Sequence, residues 1–222
     1  MTGENRLLSF YNRCLNADYT LVENGGDYAV EIDAGDPHTA YLLFQWSNGN
    51  EDWKNNFDFA AVPYKDMETP WRCHRGFLRV WKSIEPYIAE VVANERIKHF
   101  IIIGYSHGAA IATLAHEYVW FNRPDLRPEN SGSYLSIEGY GFGCPRVFWG
   151  RMRIELRERW LSFFAISNLN DIVPHLPPVL FGFRHVNQVW KIGKKENQVK
   201  HRRLSCLSSH YPDNYIRSLE SM

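Results

Sequence analysis

The amino-acid sequence predicts an α/β protein built on a central, mostly parallel sheet flanked by helices. Three observations predict it. Apolar runs of strand length alternate along the chain with segments of helical period. The run Phe100-Ile101-Ile102-Ile103 is β-branched and apolar on both faces, as a central parallel strand must be. It leads directly into a stretch rich in alanine and leucine, Gly108 to Leu114, which favours helix.

The elements follow in order. Leu7, Leu8, Tyr11, Cys14 and Leu15 line one face of an amphipathic helix. Strands are expected at Tyr28–Ile32 and Ala40–Trp46, with turns marked by Gly25-Gly26 and Gly35-Asp36-Pro37. Phe77, Trp81, Ile84, Ile88 and Val91 recur at helical spacing, with Pro86 inside the pattern to kink or end it. After the central strand (98–104) and its helix (108–119), strands are expected at Tyr134–Tyr140, Ser162–Ser167 and Arg184–Ile192. A charged helix is expected at Arg151–Trp160. No repeat, low-complexity tract or linker interrupts the chain, so 1–222 reads as one folded unit.

Composition excludes several classes of function. Apolar residues are 45% of the 222 and charged residues 23%, enough to fill a core. Lys and Arg total 25, as do Asp and Glu, so the chain lacks the basic footprint of a nucleic-acid binder. No apolar stretch approaches the roughly 20 residues that span a bilayer, and the first residues carry no signal-peptide pattern. The expected address is therefore cytoplasmic, although a mature secreted chain would read the same. The four cysteines are scattered without paired spacing and are expected as thiols. No metal-ligand spacing stands out, and no cofactor is called for.

Gly104-Tyr105-Ser106-His107-Gly108 is a G-x-S-x-G pentapeptide lying where the buried strand turns into the helix. Such a turn is a nucleophile elbow, presenting a serine hydroxyl above the end of an α/β-hydrolase-type sheet. Glycines two residues either side relieve crowding in the strained turn. Ser106 is the candidate nucleophile. The amide of His107, heading the helix, can face developing negative charge.

A serine needs a base to take its proton, and histidine is the usual one. In this fold type the chain order is Ser, then Asp or Glu, then His. His38, His74, His99 and His116 precede or flank the elbow, which leaves His175, His185, His201 and His210. Asp171 follows the Ser162–Ser167 strand in a proline-stiffened loop, whereas its rival Asp125 lies in an ordinary turn. His185 falls in a strand pattern, His201 in a basic run and His175 in the loop of Asp171 itself. Spacing leaves the choice among the four open.

Four further features set the chain beside a known family. The elbow 104–115 resembles the GHSLGGALAxLA block of the class 3 lipases, typified by fungal triacylglycerol lipases. His74-Arg75-Gly76-Phe77 resembles their HxGF block, and Gly141 to Val147 their FGxPRVG block. Asn170 to Pro178 resembles DxVPxLPP, and His210 to Tyr215 resembles a DHxxY-like ending. The likeness runs from about residue 40 to the end, with 1–39, an amino-terminal helix and strand, outside it.

The resemblance implies a triad of Ser106, Asp171 and His210, with oxyanion donors at His107 and at Ser47, which ends the block corresponding to RG[ST]. It implies a lipase or esterase acting on ester or lipid-like small molecules. Arg-Gly is here Gln45-Trp46, and the elbow carries Tyr105 and His107 where the family has His and Leu. The altered oxyanion block keeps an alternative alive, a catalytically inactive lipase-like binding or scaffold protein. The segment Asn48–Trp53, with Gly49 as hinge, resembles a lid but is mostly polar, which favours a small or partly water-soluble ester. Lys191, Lys194, Lys195, Lys200, Arg202 and Arg203 form a basic run that could make transient contact with an anionic membrane surface, or simply be a solvated loop.

Overall fold

The computed structural model describes residues 5–22, 26–44, 58–65, 71–199 and 205–222. Helix α1 (Arg6–Asn16) leads to strands β1 (Thr20–Leu21), β2 (Asp27–Ile32) and β3 (Thr39–Phe44). Strands β4 (Ala61–Tyr64) and β5 (Trp71–His74) precede helix α2 (Arg75–Ala93), strand β6 (His99–Tyr105) and helix α3 (His107–Asn122). The short helix α4 (Pro128–Ser131) is followed by β7 (Ile137–Phe142), β8 (Phe148–Trp149) and β9 (Phe163–Asn168). Strands β10 (Phe183–Arg184) and β11 (Val189–Ile192) and helix α5 (Pro212–Glu220) complete the order.

The main sheet has seven strands in the order β1-β2-β3-β6-β7-β9-β11. Its first two pairings are antiparallel and the remaining four parallel. Side chains alternate across it as a two-residue period requires. On β6, Phe100 and Ile102 join the core beneath α2 and α3, whereas Ile101, Ile103 and Tyr105 join the core that α1 and α5 cover. Helix α3 is buried on nearly all sides, which explains its almost uniformly apolar sequence. The chain thus has the α/β-hydrolase-type architecture read from the sequence.

Several elements differ from expectation. Arg151–Trp160 is not a helix but two 3-10 turns, Ile154–Leu156 and Glu158–Trp160. Leu156 and Trp160 are buried in the core and Met152 packs partly against it, while Ile154 is exposed, so a helix there would have no continuous face to bury. The strand expected at Tyr134–Tyr140 starts later, because Tyr134 and Leu135 are exposed, and it runs on through two glycines. A β-carbon on Gly139 would lie 2.2 Å from the Phe163 ring, so close packing against β9 selects a residue of poor strand propensity. Arg184–Ile192 is split. Its first part pairs in a second, four-stranded antiparallel sheet, β10-β8-β5-β4, that the sequence did not announce. Helix α2 runs unbroken across Pro86, whose exposed position lets water meet the carbonyl left without its helical donor. Cys14, Cys73 and Cys144 are buried free thiols, as expected.

Candidate active site

The carboxyl ends of the parallel strands carry the site, as is general for open α/β sheets. Strand β6 ends at Tyr105, and Ser106 turns the chain into α3 with φ 57° and ψ −121°. A side-chain-bearing residue reaches this left-handed region only under strain, which the surrounding packing must hold in place. Gly104 makes the turn possible, since a β-carbon there would lie 2.1 Å from the Gly108 carbonyl oxygen. Leu169, beyond β9, is the other non-glycine residue at positive φ among those described, and it lies two residues before Asp171.

Three distant side chains meet at this edge. His210 Nε2 lies 2.7 Å from Ser106 Oγ, and its Nδ1 lies 2.8 Å from Asp171 Oδ2. The ionised carboxylate can only accept, so Nδ1 carries the hydrogen and the Nε2 lone pair faces the serine hydroxyl. Asp171 is fully buried and held by further donors. The Val173 amide donates to Oδ1 at 2.9 Å, and the Tyr215 hydroxyl donates to Oδ2 at 2.6 Å. Tyr215 in turn accepts from the Asn168 amide at 3.1 Å. Burial raises the Tyr215 phenol well above its usual value, and the charge of Asp171 adds to this, so it stays a hydrogen-bond donor.

His210 is held from two sides. The Tyr105 ring stacks on the imidazole with centroids 5.2 Å apart, and the Tyr105 hydroxyl donates to the His210 carbonyl. Opposite, Gly143 at φ +60° brings the backbone against the pair. A β-carbon there would lie 2.8 Å from His210 Cε1 and 3.2 Å from Asp171 Oδ2. These supports went unread in the sequence. Tyr105 appeared only as a departure from a motif, and Gly143 as one letter within a block.

The rival residues lie elsewhere. His74 caps α2, its Nδ1 accepting from the Phe77 amide at 3.3 Å, and its ring stacks on Phe77, which accounts for the pattern from His74 to Phe77. His116 is buried against Trp160, and burial, aided by the charge of Arg159, pushes it down to about 3. His99 pairs with Glu138 at 2.8 Å near the opposite end of the sheet, and exposed His38 bonds the Arg96 carbonyl. His185 bonds the Pro174 carbonyl at 2.7 Å and is pushed down to about 4, chiefly by burial. His175 is exposed, and Asp125 is engaged by Arg123 at the surface.

His107 opens α3 at the positive end of its dipole, with its buried ring packed on Phe77. Ser47, the Asn48–Trp53 segment with Gly49, His201, and the Lys200, Arg202 and Arg203 part of the basic run lie outside the described residues. Among the described residues no group of His, Cys, Asp and Glu is arranged to hold a metal ion, and no helix is long and apolar enough to cross a membrane.

Comparison with known proteins gives a consistent result. The family profile described as lipase (class 3) matches residues 41–181. A secreted mono- and diacylglycerol lipase of Fusarium solani is 30% identical over 148 residues, 64% of this chain and 40% of that protein. A lipase of Rhizopus niveus is 30% identical over 170 residues, 75% of this chain and 41% of that protein. The chain thus spans about two fifths of the length of these relatives. Among solved structures, a triacylglycerol lipase described as having a serine protease triad for its catalytic centre superposes with a TM-score of 0.61. It does so at 20% identity, covering 87% of this chain and 78% of that one, a likeness of fold. The first of these relatives is named as secreted, so the cytoplasmic expectation gains no support from it.

Proposed function

The chain belongs to the class 3 lipase family, and on that premise we propose that it hydrolyses carboxylic esters of lipid-like molecules through an acyl-enzyme. The observation that carries the reading is the unbroken hydrogen-bonded series from Ser106 through His210 to Asp171, begun by a serine at positive φ.

The chemistry follows from that series. Ser106 Oγ attacks the ester carbonyl while His210 Nε2 takes its proton. Asp171 holds the imidazole in the tautomer that leaves Nε2 free to accept, and it stabilises the imidazolium once formed. The carbonyl oxygen becomes an oxyanion, for which the His107 amide and, from the segment matching the family's block, Ser47 are the donors. As the tetrahedral species collapses, the carbon–oxygen bond to the alcohol breaks and Nε2 returns its proton to the leaving oxygen. Water then enters, gives its proton to Nε2 and releases the acid, and the proton passes back to Ser106. Because Asp171 is fully buried, its contact with His210 is little screened by water, which strengthens that pair.

Turnover of 4-nitrophenyl esters tests the proposal. Ser106→Ala and His210→Ala should each lower kcat by at least about 10⁴-fold, while His175→Ala, His185→Ala and His201→Ala keep most of it. Turnover that survives in Ser106→Ala would refute the assignment. A wild-type chain without esterase activity would favour a binding role on the same fold.

A further inference from the structure

His210 stands at the end of a turn that cannot satisfy its own backbone. The 3-10 segment Ser205–His210 runs through Tyr211 into Pro212, the first residue of α5. Proline has no N–H, so the Ser209 carbonyl has no amide three residues on, and the Ser208 carbonyl has none four residues on. The Ser208 carbonyl takes a long bond, 3.4 Å, from the Tyr211 amide. A carbonyl left unpaired inside a protein costs free energy, so donors must come from elsewhere.

They come from side chains on three separate elements. Asn214 Nδ2, on α5, donates to the Ser208 carbonyl at 2.7 Å. Asn168 Nδ2, at the end of β9, donates to the Ser209 carbonyl at 2.8 Å. The Tyr105 hydroxyl, at the end of β6, donates to the His210 carbonyl. Consecutive carbonyls thus each meet a donor of different origin, and Asn168, Asn214 and Tyr105 are all fully buried.

The two amides are themselves fixed. Asn214 Oδ1 accepts from the Val199 amide at 2.7 Å, while its Nδ2 also donates to the Val199 carbonyl at 2.9 Å. Asn168 Oδ1 accepts from the Ser218 hydroxyl at 2.8 Å, and its Nδ2 also donates to Gln198 Oε1 at 2.9 Å. Gln198 Nε2 donates to Ser218 Oγ at 3.0 Å and so closes a ring of three side chains. Gly193, at φ +85°, lies against that ring, where a β-carbon would come within 2.4 Å of both Asn168 Oδ1 and Ser218 Oγ. A closed, buried network has one arrangement, and it leaves the backbone of 208–210 one place to lie. Only two side-chain torsions separate that backbone from the imidazole. Asn168 reaches the acid as well, since its main-chain amide donates to the Tyr215 hydroxyl that holds Asp171.

We propose that Asn168, Asn214 and Tyr105 are positioning residues of the reaction, a clamp whose three donors set His210 Nε2 at bonding distance from Ser106 Oγ. The proposal rests on the triad reading and extends it to residues that act through His210.

Steady-state kinetics on 4-nitrophenyl acetate, with fluorophosphonate labelling of Ser106, test it. Tyr105→Phe keeps the stacked ring and removes the donor, while Asn168→Ala and Asn214→Ala remove theirs. Each should lower kcat about 10-fold or more, with KM within about two-fold of wild type. Ser162→Ala is the control, because its buried hydroxyl donates to the Ile137 carbonyl at 2.6 Å at the far end of the same sheet. It also leaves a buried carbonyl unpaired, so it should lower Tm as the clamp variants do and keep wild-type kcat. Introduced into His210→Ala, the clamp substitutions should slow labelling by less than about two-fold further, since the imidazole they act through is gone. Wild-type kcat in a folded Tyr105→Phe, an equal kcat loss in Ser162→Ala, or a further slowing of about ten-fold on top of His210→Ala would each overturn the proposal. Tyr105→Phe decides if the asparagine variants do not fold. A His210→Ala chain that labels at the wild-type rate would sink the triad reading and the clamp with it. Slow labelling of His210→Ala beside wild-type clamp variants would sink the clamp alone.

Discussion

Replacing Gly143 by alanine separates the stability of the fold from the alignment of the site. The added β-carbon would sit 2.8 Å from His210 Cε1, where ordinary contact begins at 3.4 Å, so the imidazole must yield by about 0.6 Å. The Asp171 carboxylate oxygen, 3.2 Å from the added carbon, is crowded by it as well. A misplacement of about 1 Å costs on the order of 100-fold in rate, so kcat should fall about 10- to 100-fold. The alanine also occupies φ +60°, at a cost of about 1–2 kcal/mol, or about 3–6 °C in Tm for a chain of this size. Gly132→Ala supplies the control. Its φ is +70°, yet no atom lies within 4 Å of the added carbon. It should lose a similar Tm and none of its kcat. Nitrophenyl-ester kinetics beside thermal melts of the two variants decide the matter. Wild-type kcat in a folded Gly143→Ala, or an equal loss in Gly132→Ala, would refute the reasoning.

Other outcomes follow from neighbouring groups. Tyr215→Phe removes a donor to Asp171 and leaves the buried Asn168 amide without its acceptor, so urea unfolding should show a loss of about 1–3 kcal/mol together with a lower kcat. His116 titrates at about 3 in the folded chain against about 6.5 unfolded. Between these values the unfolded chain holds the extra proton. Stability should therefore fall as pH drops below 6.5, by up to about 1.4 kcal/mol per pH unit, and level off near pH 3. The urea midpoint of His116→Phe, followed between pH 7 and 4, should decline less steeply than that of the wild type. An unchanged slope would show that His116 is not buried in its neutral form.

Much of the site was legible because the candidate nucleophile and the candidate acid each lie in a segment whose local pattern is informative. Ser106 stands between an apolar strand and an alanine-rich helix, and Asp171 follows a strand in a proline-bound loop. The base was not legible in that way. Four histidines satisfied chain order, and the resemblance selected His210, which the structure brings to Ser106. What remained unread is what depends on through-space contact. Strands β8 and β10 have two residues each, too few for any period to register. Tyr105 read only as a departure from the elbow motif and Tyr215 only as the end of a block, because nothing in their spacing reveals hydroxyls aimed at the His210 carbonyl and at Asp171. Arg151–Trp160 misled because its helix-forming residues lacked a face to bury, a tertiary property.

Mass spectrometry of the chain after reaction with a fluorophosphonate tests the central claim most directly. A single adduct on the peptide carrying Ser106, formed at least about 100-fold more slowly in His210→Ala, is the outcome the account requires. An adduct on another serine, or one on Ser106 that forms equally fast without His210, would contradict it.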